Sequence, residues 1–139
     1  MQESTRAIAA LLRFYDRLSA GDASAFDEVV SGDPAVLVVG TAPGEWKDRE
    51  RLRLRFSGGG PRLEAGAPAA YEEESLAWAV DEPTFRFADG SVVRTRLTAV
   101  LHEEGGDWKL VHMHVSVGVP DAELPQFQER WLKESGERA

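Results

Sequence analysis

No cysteine occurs among the 139 residues, which excludes disulfides, thiolate metal centres and a cysteine nucleophile, so stability must come from core packing or association. No apolar run approaches the roughly 20 residues of a membrane span. The opening Met1-Gln-Glu-Ser-Thr-Arg6 passes into a charged amphipathic pattern without a leader's apolar stretch, and a cytoplasmic location is expected. Surplus positive charge is missing too: the net charge is −8, and the one basic cluster, Lys47 to Arg55, is interleaved with Asp48 and Glu50. That cluster reads as the solvated side of a helix, so neither nucleic acid nor membrane is an expected partner. No nucleotide loop and no metal-ligand spacing appears, and no cofactor or metal is expected. Apolar content of 42% and charged content of 29% fit one globular domain spanning 1–139.

Helical periodicity is present near the start. Ser4 or Thr5 can cap a helix whose Ile8, Leu11, Leu12, Tyr15 and Leu18 follow the i, i+3, i+4, i+7 spacing, and Gly21 ends it. Asp22 opens a short second helix carrying Phe26, Val29 and Val30, closed by Ser31-Gly-Asp-Pro34. Ala35–Gly40 reads as a buried strand, Thr41–Glu45 as a loop, and a third helix runs from about Asp48 to the Ser57–Pro61 breaker. Arg62–Glu73 is a strand that Gly66 and Pro68 force into a bulge or onto an edge. Three long strands follow, about Glu74–Phe87, Ser91–Glu103 and Asp107–Val119. From Pro120 a last amphipathic helix places Leu124, Phe127 and Trp131 on one side.

Asp89-Gly90 and Gly105-Gly106 each suit a two-residue turn, which makes the three strands an antiparallel meander. In that register Val80 opposes Ala99 and Ala99 opposes His112, and an inner face collects Trp78, Glu82, Leu97, Ala99, His112, His114 and Ser116. Glu82 and His114 then flank Leu97 about 10 Å apart. An imidazole poised by a carboxylate can act as a general base, so His114 and Glu82 are the candidate catalytic pair, with a hydrogen-bonded structural histidine as the alternative. Ala99 leaves space for a ligand beside His112. Tyr15 can donate a phenol, Trp46 suits a pocket rim, and Trp78, His112 and Ser116 complete the lining. The opposite face, with Asp81, Arg94, Arg96, Val100, Met113 and Val115, is too apolar to stay bare, so a homodimer through it is expected.

The stretch Gly90-Ser-Val-Val-Arg-Thr-Arg-Leu-Thr-Ala-Val-Leu-His102, a glycine turn, and Asp107-Trp-Lys-Leu-Val-His-Met-His-Val-Ser-Val-Gly-Val-Pro120 resembles the closing hairpin of SnoaL-like proteins in the nuclear transport factor 2-like superfamily. It is also similar to the association domain of calcium/calmodulin-dependent kinases, with its comparable tryptophan, histidine-x-histidine and serine. The resemblance implies an α+β cone: a curved, mostly antiparallel sheet wraps three N-terminal helices around a pocket, with a further helix at the C-terminus. The implied function is binding of a small, largely apolar organic molecule, with cofactor-free isomerase, cyclase or dehydratase chemistry if it is an enzyme. The competing reading is a non-catalytic oligomerisation module. Ketosteroid isomerase-like chemistry needs a first-helix tyrosine, which Tyr15 can supply, and two pocket acids, of which Glu82 alone faces inward in this register. The association domain carries an arginine where Ala99 stands. A binder calls for an open cavity above roughly 300 Å³; a hub calls for an interior filled by its own side chains.

Overall fold

A computed structural model of the chain describes residues 1–136. Helix α1 (Thr5–Ala20) starts where the Ser4 hydroxyl accepts the Ala7 N–H at 3.0 Å and stops at Gly21, whose φ of +67° makes the left-handed cap. One turn of 3₁₀ helix capped by Asp22 leads into α2 (Phe26–Val29), and the Asp48 carboxylate caps α3 (Arg49–Arg55) by accepting the Arg51 N–H at 2.9 Å. The strands are β1 (Gln2–Glu3), β2 (Leu37–Val39), β3 (Trp46–Asp48), β4 (Arg62–Glu64), β5 (Ala69–Glu73), β6 (Leu76–Asp81), β7 (Thr84–Arg86), β8 (Val92–Arg94), β9 (Arg96–Glu104) and β10 (Asp107–Ser116). A seven-stranded sheet runs β1-β5-β6-β9-β10-β2-β3, antiparallel except where β10 meets β2, and a small sheet runs β4-β7-β8. Helix α4 (Leu124–Gly136) closes the described chain, with Pro125 in its first turn. No helix among the described residues is long and apolar enough to cross a membrane.

The expected long strands are broken in pairs. Gly66 and Pro68 divide Arg62–Glu73 into β4 and β5, which join different sheets. Pro83, with no N–H for a ladder, separates β6 from β7, and the buried Thr95 opposite separates β8 from β9. Both the N–H and the hydroxyl of Thr95 bond to the Pro83 carbonyl, at 3.0 and 2.9 Å, which pins the bend.

Two one-residue offsets reassign the faces of the meander. The first turn is a three-residue loop, Ala88-Asp89-Gly90, in which Gly90 takes φ +86° and donates to the Phe87 carbonyl at 3.0 Å. Val80 therefore opposes Thr98, and Ala79 opposes Ala99. A slip of one residue sends every side chain of a strand to the other face. Ala77, Ala79 and Asp81 turn inward and Trp78, Val80 and Glu82 outward. The second turn is Gly105-Gly106 as expected, with Leu110 opposite Leu101, but a bulge at Val111 then puts His112 opposite Val100 and His114 opposite Thr98. Beyond it Met113 and Val115 are buried, while His112, His114 and Ser116 occupy the outer face.

The inner face meets the helices through small residues. Ala70, Ala79 and Ala99 lie side by side across β5, β6 and β9, all buried, and α1 packs on the sheet with Ala7, Ala10, Leu11 and Phe14. Phe56, just past α3, meets Phe14 of α1 and Phe26 of α2 edge-on, with ring centroids 5.7 and 5.1 Å apart. Because Gly90 alone satisfies the left-handed turn position, Gly90→Ala is expected to cost about 1–2 kcal/mol in urea denaturation while the near-ultraviolet circular dichroism of the folded state stays unchanged.

Candidate functional site

Between the C-terminal half of α1, α3, the β2–β3 hairpin and the end of β10 lies a cavity of about 80 Å³. Its floor is apolar, formed by Leu18, Val38, Leu52, Leu63, Phe85, Met113 and Val115, and its mouth carries Thr41, Glu45, Lys47 and Arg55. The Thr41–Glu45 loop folds the Glu45 carboxylate back on the hairpin. Gly40 donates to the Glu45 carbonyl at 2.8 Å, and a Cβ at Gly40 would sit 2.3 Å from that carboxylate, so only glycine admits the approach. The carboxylate accepts from the Lys47 ammonium on one oxygen and from the Ala42 N–H at 3.0 Å on the other. Those two donors, with the Arg55 charge adding a smaller effect, hold the Glu45 carboxyl below the usual carboxylate range.

A second polar cluster lies apart from this cavity, with Tyr15 and Asp81 buried and Gly66 at the edge of a separate open depression. The Tyr15 hydroxyl donates to Asp81 Oδ2 at 3.1 Å, the Gly66 N–H donates to Oδ1 at 3.1 Å, and Tyr15 is only 1% exposed. Burial, reinforced by the Asp81 charge, pushes the Tyr15 phenol far above its ordinary range and keeps it a donor. Tyr15 therefore donates its phenol to an inward acid of the protein itself, Asp81, one residue before Glu82. Neither lines the cavity.

The expected site residues are distributed elsewhere. Ala99 is inward but packed in the core. Trp46 is 55% exposed, and the period of two along β3 gives the cavity Glu45 and Lys47 on either side of it instead. Trp78 lies outside, stacked on Tyr71 at 4.9 Å. His112 spans to β2, its Nδ1–H donating to the Leu37 carbonyl at 2.8 Å. His114 is exposed opposite Thr98, and Ser116 lies opposite Arg96. Glu82 is exposed and pairs with Arg94 at 3.7 Å. The placement of Glu82, His112, His114, Trp78 and Ser116 on one inner surface is corrected by the Gly90 loop and the Val111 bulge. Glu45, Lys47 and Arg55 were missed, although charged residues flanking a tryptophan after a Pro-Gly loop carry the alternation that places them together.

Residues 8–120 match the model of the SnoaL-like domain family. The chain belongs to that family. Solved structures agree on the fold. This SnoaL-like domain superposes with a TM-score of 0.68 on a nuclear transport factor 2-like protein of unknown function from Pseudomonas putida, at 14% identity over 86% of this chain and 92% of that one. A provisional calcium/calmodulin-dependent protein kinase II association domain from Xanthomonas campestris gives 0.63 at 20% identity, over 87% and 96%. A provisional ketosteroid isomerase from Shewanella frigidimarina gives 0.64 at 16% identity, over 81% and 96%. No protein with a curated description matches the chain.

The Tyr15 cluster sets a pH dependence. The native state keeps a phenolic proton that the unfolded chain releases near its ordinary value of 10, so this stabilisation is complete below that pH and declines as the pH rises above it. Tyr15→Phe is expected to cost about 1–2 kcal/mol at pH 7 and to flatten the loss of stability above pH 10, read by urea denaturation across the alkaline range.

Proposed function

We propose that this SnoaL-like domain binds a small organic molecule in the cone cavity, entering past α3 and the β2–β3 hairpin. The observation that carries this reading is an apolar chamber of about 80 Å³ ending at a cluster of charged groups. The chamber falls short of the roughly 300 Å³ expected of an open binding pocket, and most of the remaining interior is filled by the protein's own side chains, as a hub would have it, so what is left admits only a small ligand. A chamber this size takes a short chain or a small branched group, with anything larger left at the mouth. Glu45, the carboxylate at the mouth, has both oxygens engaged and a depressed pKa, which makes it a weak base. That favours binding over proton transfer as the work of this cavity.

A second observation favours association. The outer sheet face leaves Leu76, Trp78 and Val80 at 53, 39 and 37% exposure, beside Val100 and the Tyr71–Trp78 stack. An apolar strip of this kind on a sheet is the surface a second copy would cover, and we read it as a homodimer face with His112, His114 and Ser116 along one side. Val100 of β9 stays on this face as first expected, while β6 and the end of β10 now give it Trp78, Val80, His112, His114 and Ser116 in place of Asp81, Met113 and Val115.

Short aliphatic molecules, charged and uncharged, are expected to shift the Met113 methyl resonance, and Val115→Phe, which fills the chamber, to abolish the shift; no response from any of them removes the cavity reading. Sedimentation equilibrium is expected to return a dimer at micromolar concentration and a monomer for Trp78→Lys.

A further inference from the structure

We infer that the ligand of the cone cavity is a short-chain aliphatic monocarboxylate, its tail among Leu52, Phe85 and Met113 and its head on Arg55 and Lys47. The inference rests on the cavity being a ligand site and names the chemistry that fits it.

Donors outnumber acceptors at the mouth of the cavity. Glu45, the acceptor there with the largest charge, already takes the Lys47 ammonium on one oxygen and the Ala42 N–H on the other, which leaves about two of its roughly four lone-pair sites against a larger surplus of donors. Lys47 has three donors and uses one on Glu45, so two remain. Arg55 has five donors, and its half-buried guanidinium makes no side-chain hydrogen bond or ion pair with any described residue.

Its neighbours on α3 show how unusual that is. Arg49 and Arg53 both pair with Asp27 and lie over the Phe26 ring, at 4.9 and 4.3 Å from its centroid. Arg51 donates to the Trp46 carbonyl at 3.2 Å. Three of the four arginines on this helix are therefore engaged by the protein, and the fourth is the one that lines the cavity.

Charge gives the same answer as the donor count. One carboxylate against two cations leaves a single positive charge at the mouth, which one monoanion neutralises; a cationic ligand is repelled, and a phosphate monoester, near −2 at neutral pH, overshoots. A guanidinium fork matches a carboxylate with two parallel bonds. The guanidinium also has a seat: it lies over Gly60, where a Cβ would come within 2.2 Å of Nη1. Behind the mouth the apolar floor calls for an alkyl tail. With about 80 Å³ to fill and roughly 30 Å³ for a water-sized group, the tail is about three carbons long.

The test uses butyrate and valerate against their uncharged isosteres butyramide and valeramide, titrated into the full chain by isothermal calorimetry and followed at the Met113 methyl. The carboxylates are expected to bind about tenfold or more tighter than the amides, and Arg55→Gln to remove that preference. Arg55→Lys, which keeps the charge and loses the fork, is expected to fall between the two. Amides binding as tightly as acids, or acid affinity unchanged in Arg55→Gln, overturns the carboxylate assignment and leaves the cavity reading standing. Absence of any binding by acid and amide alike overturns both.

Discussion

One surplus residue in the last strand decides what the core receives. Up to Leu110 the inward positions of β10 are Trp108 and Leu110; past the bulge at Val111 they are Met113 and Val115. Strand side chains alternate strictly, so a single inserted residue exchanges the roles of all that follow. The bulge gives the cavity its floor and places two imidazoles on the outer surface. It also adds local twist, which helps a long strand belong to a sheet that closes around helices. The three-residue loop at Gly90 does the same service for β6, giving the interior alanines and Asp81 and the exterior Trp78 and Val80.

From that assignment the size of the cavity follows. A row of alanines under α1 lets the helix lie close to the sheet, and most of the interior is filled by Phe14, Phe26, Phe56 and the leucines around them. Space remains where α3 and the β2–β3 hairpin diverge from the end of β10. The two polar clusters differ in how fully their groups are paired. Tyr15, Asp81 and Gly66 satisfy one another, tying α1 to β6 and to the loop before β5. Glu45, Lys47 and Arg55 stand at an opening with donors to spare, and polar groups with unmet capacity beside an apolar hollow are where a ligand gains both affinity and orientation.

Much of this was legible in the residues, and what was not has a definite cause. The Ser4 cap, the Gly21 stop, the Asp48 start and the Gly105-Gly106 turn each depend on chemistry within a few positions, and they stand as read. The hairpin from Gly90 to Pro120 pointed to the family for the same reason. Register was illegible because Asp89-Gly90 serves a two-residue and a three-residue loop equally well, and only packing against α1 separates them. The run Leu110-Val-His-Met-His-Val115 has apolar side chains at both parities, so nothing local marks Val111 as the extra residue. The alternation around Trp46 could have paired Glu45 with Lys47, but Arg55 joins them from a helix, a proximity that no spacing announces.

Helix α4 buries none of its residues, and its Trp131 and Leu132 are more than half exposed. A rod of 13 residues, about 20 Å long, extending from a small body raises the frictional coefficient well above that of a sphere of equal mass. Gel filtration calibrated on spherical standards therefore overstates the mass of a single copy.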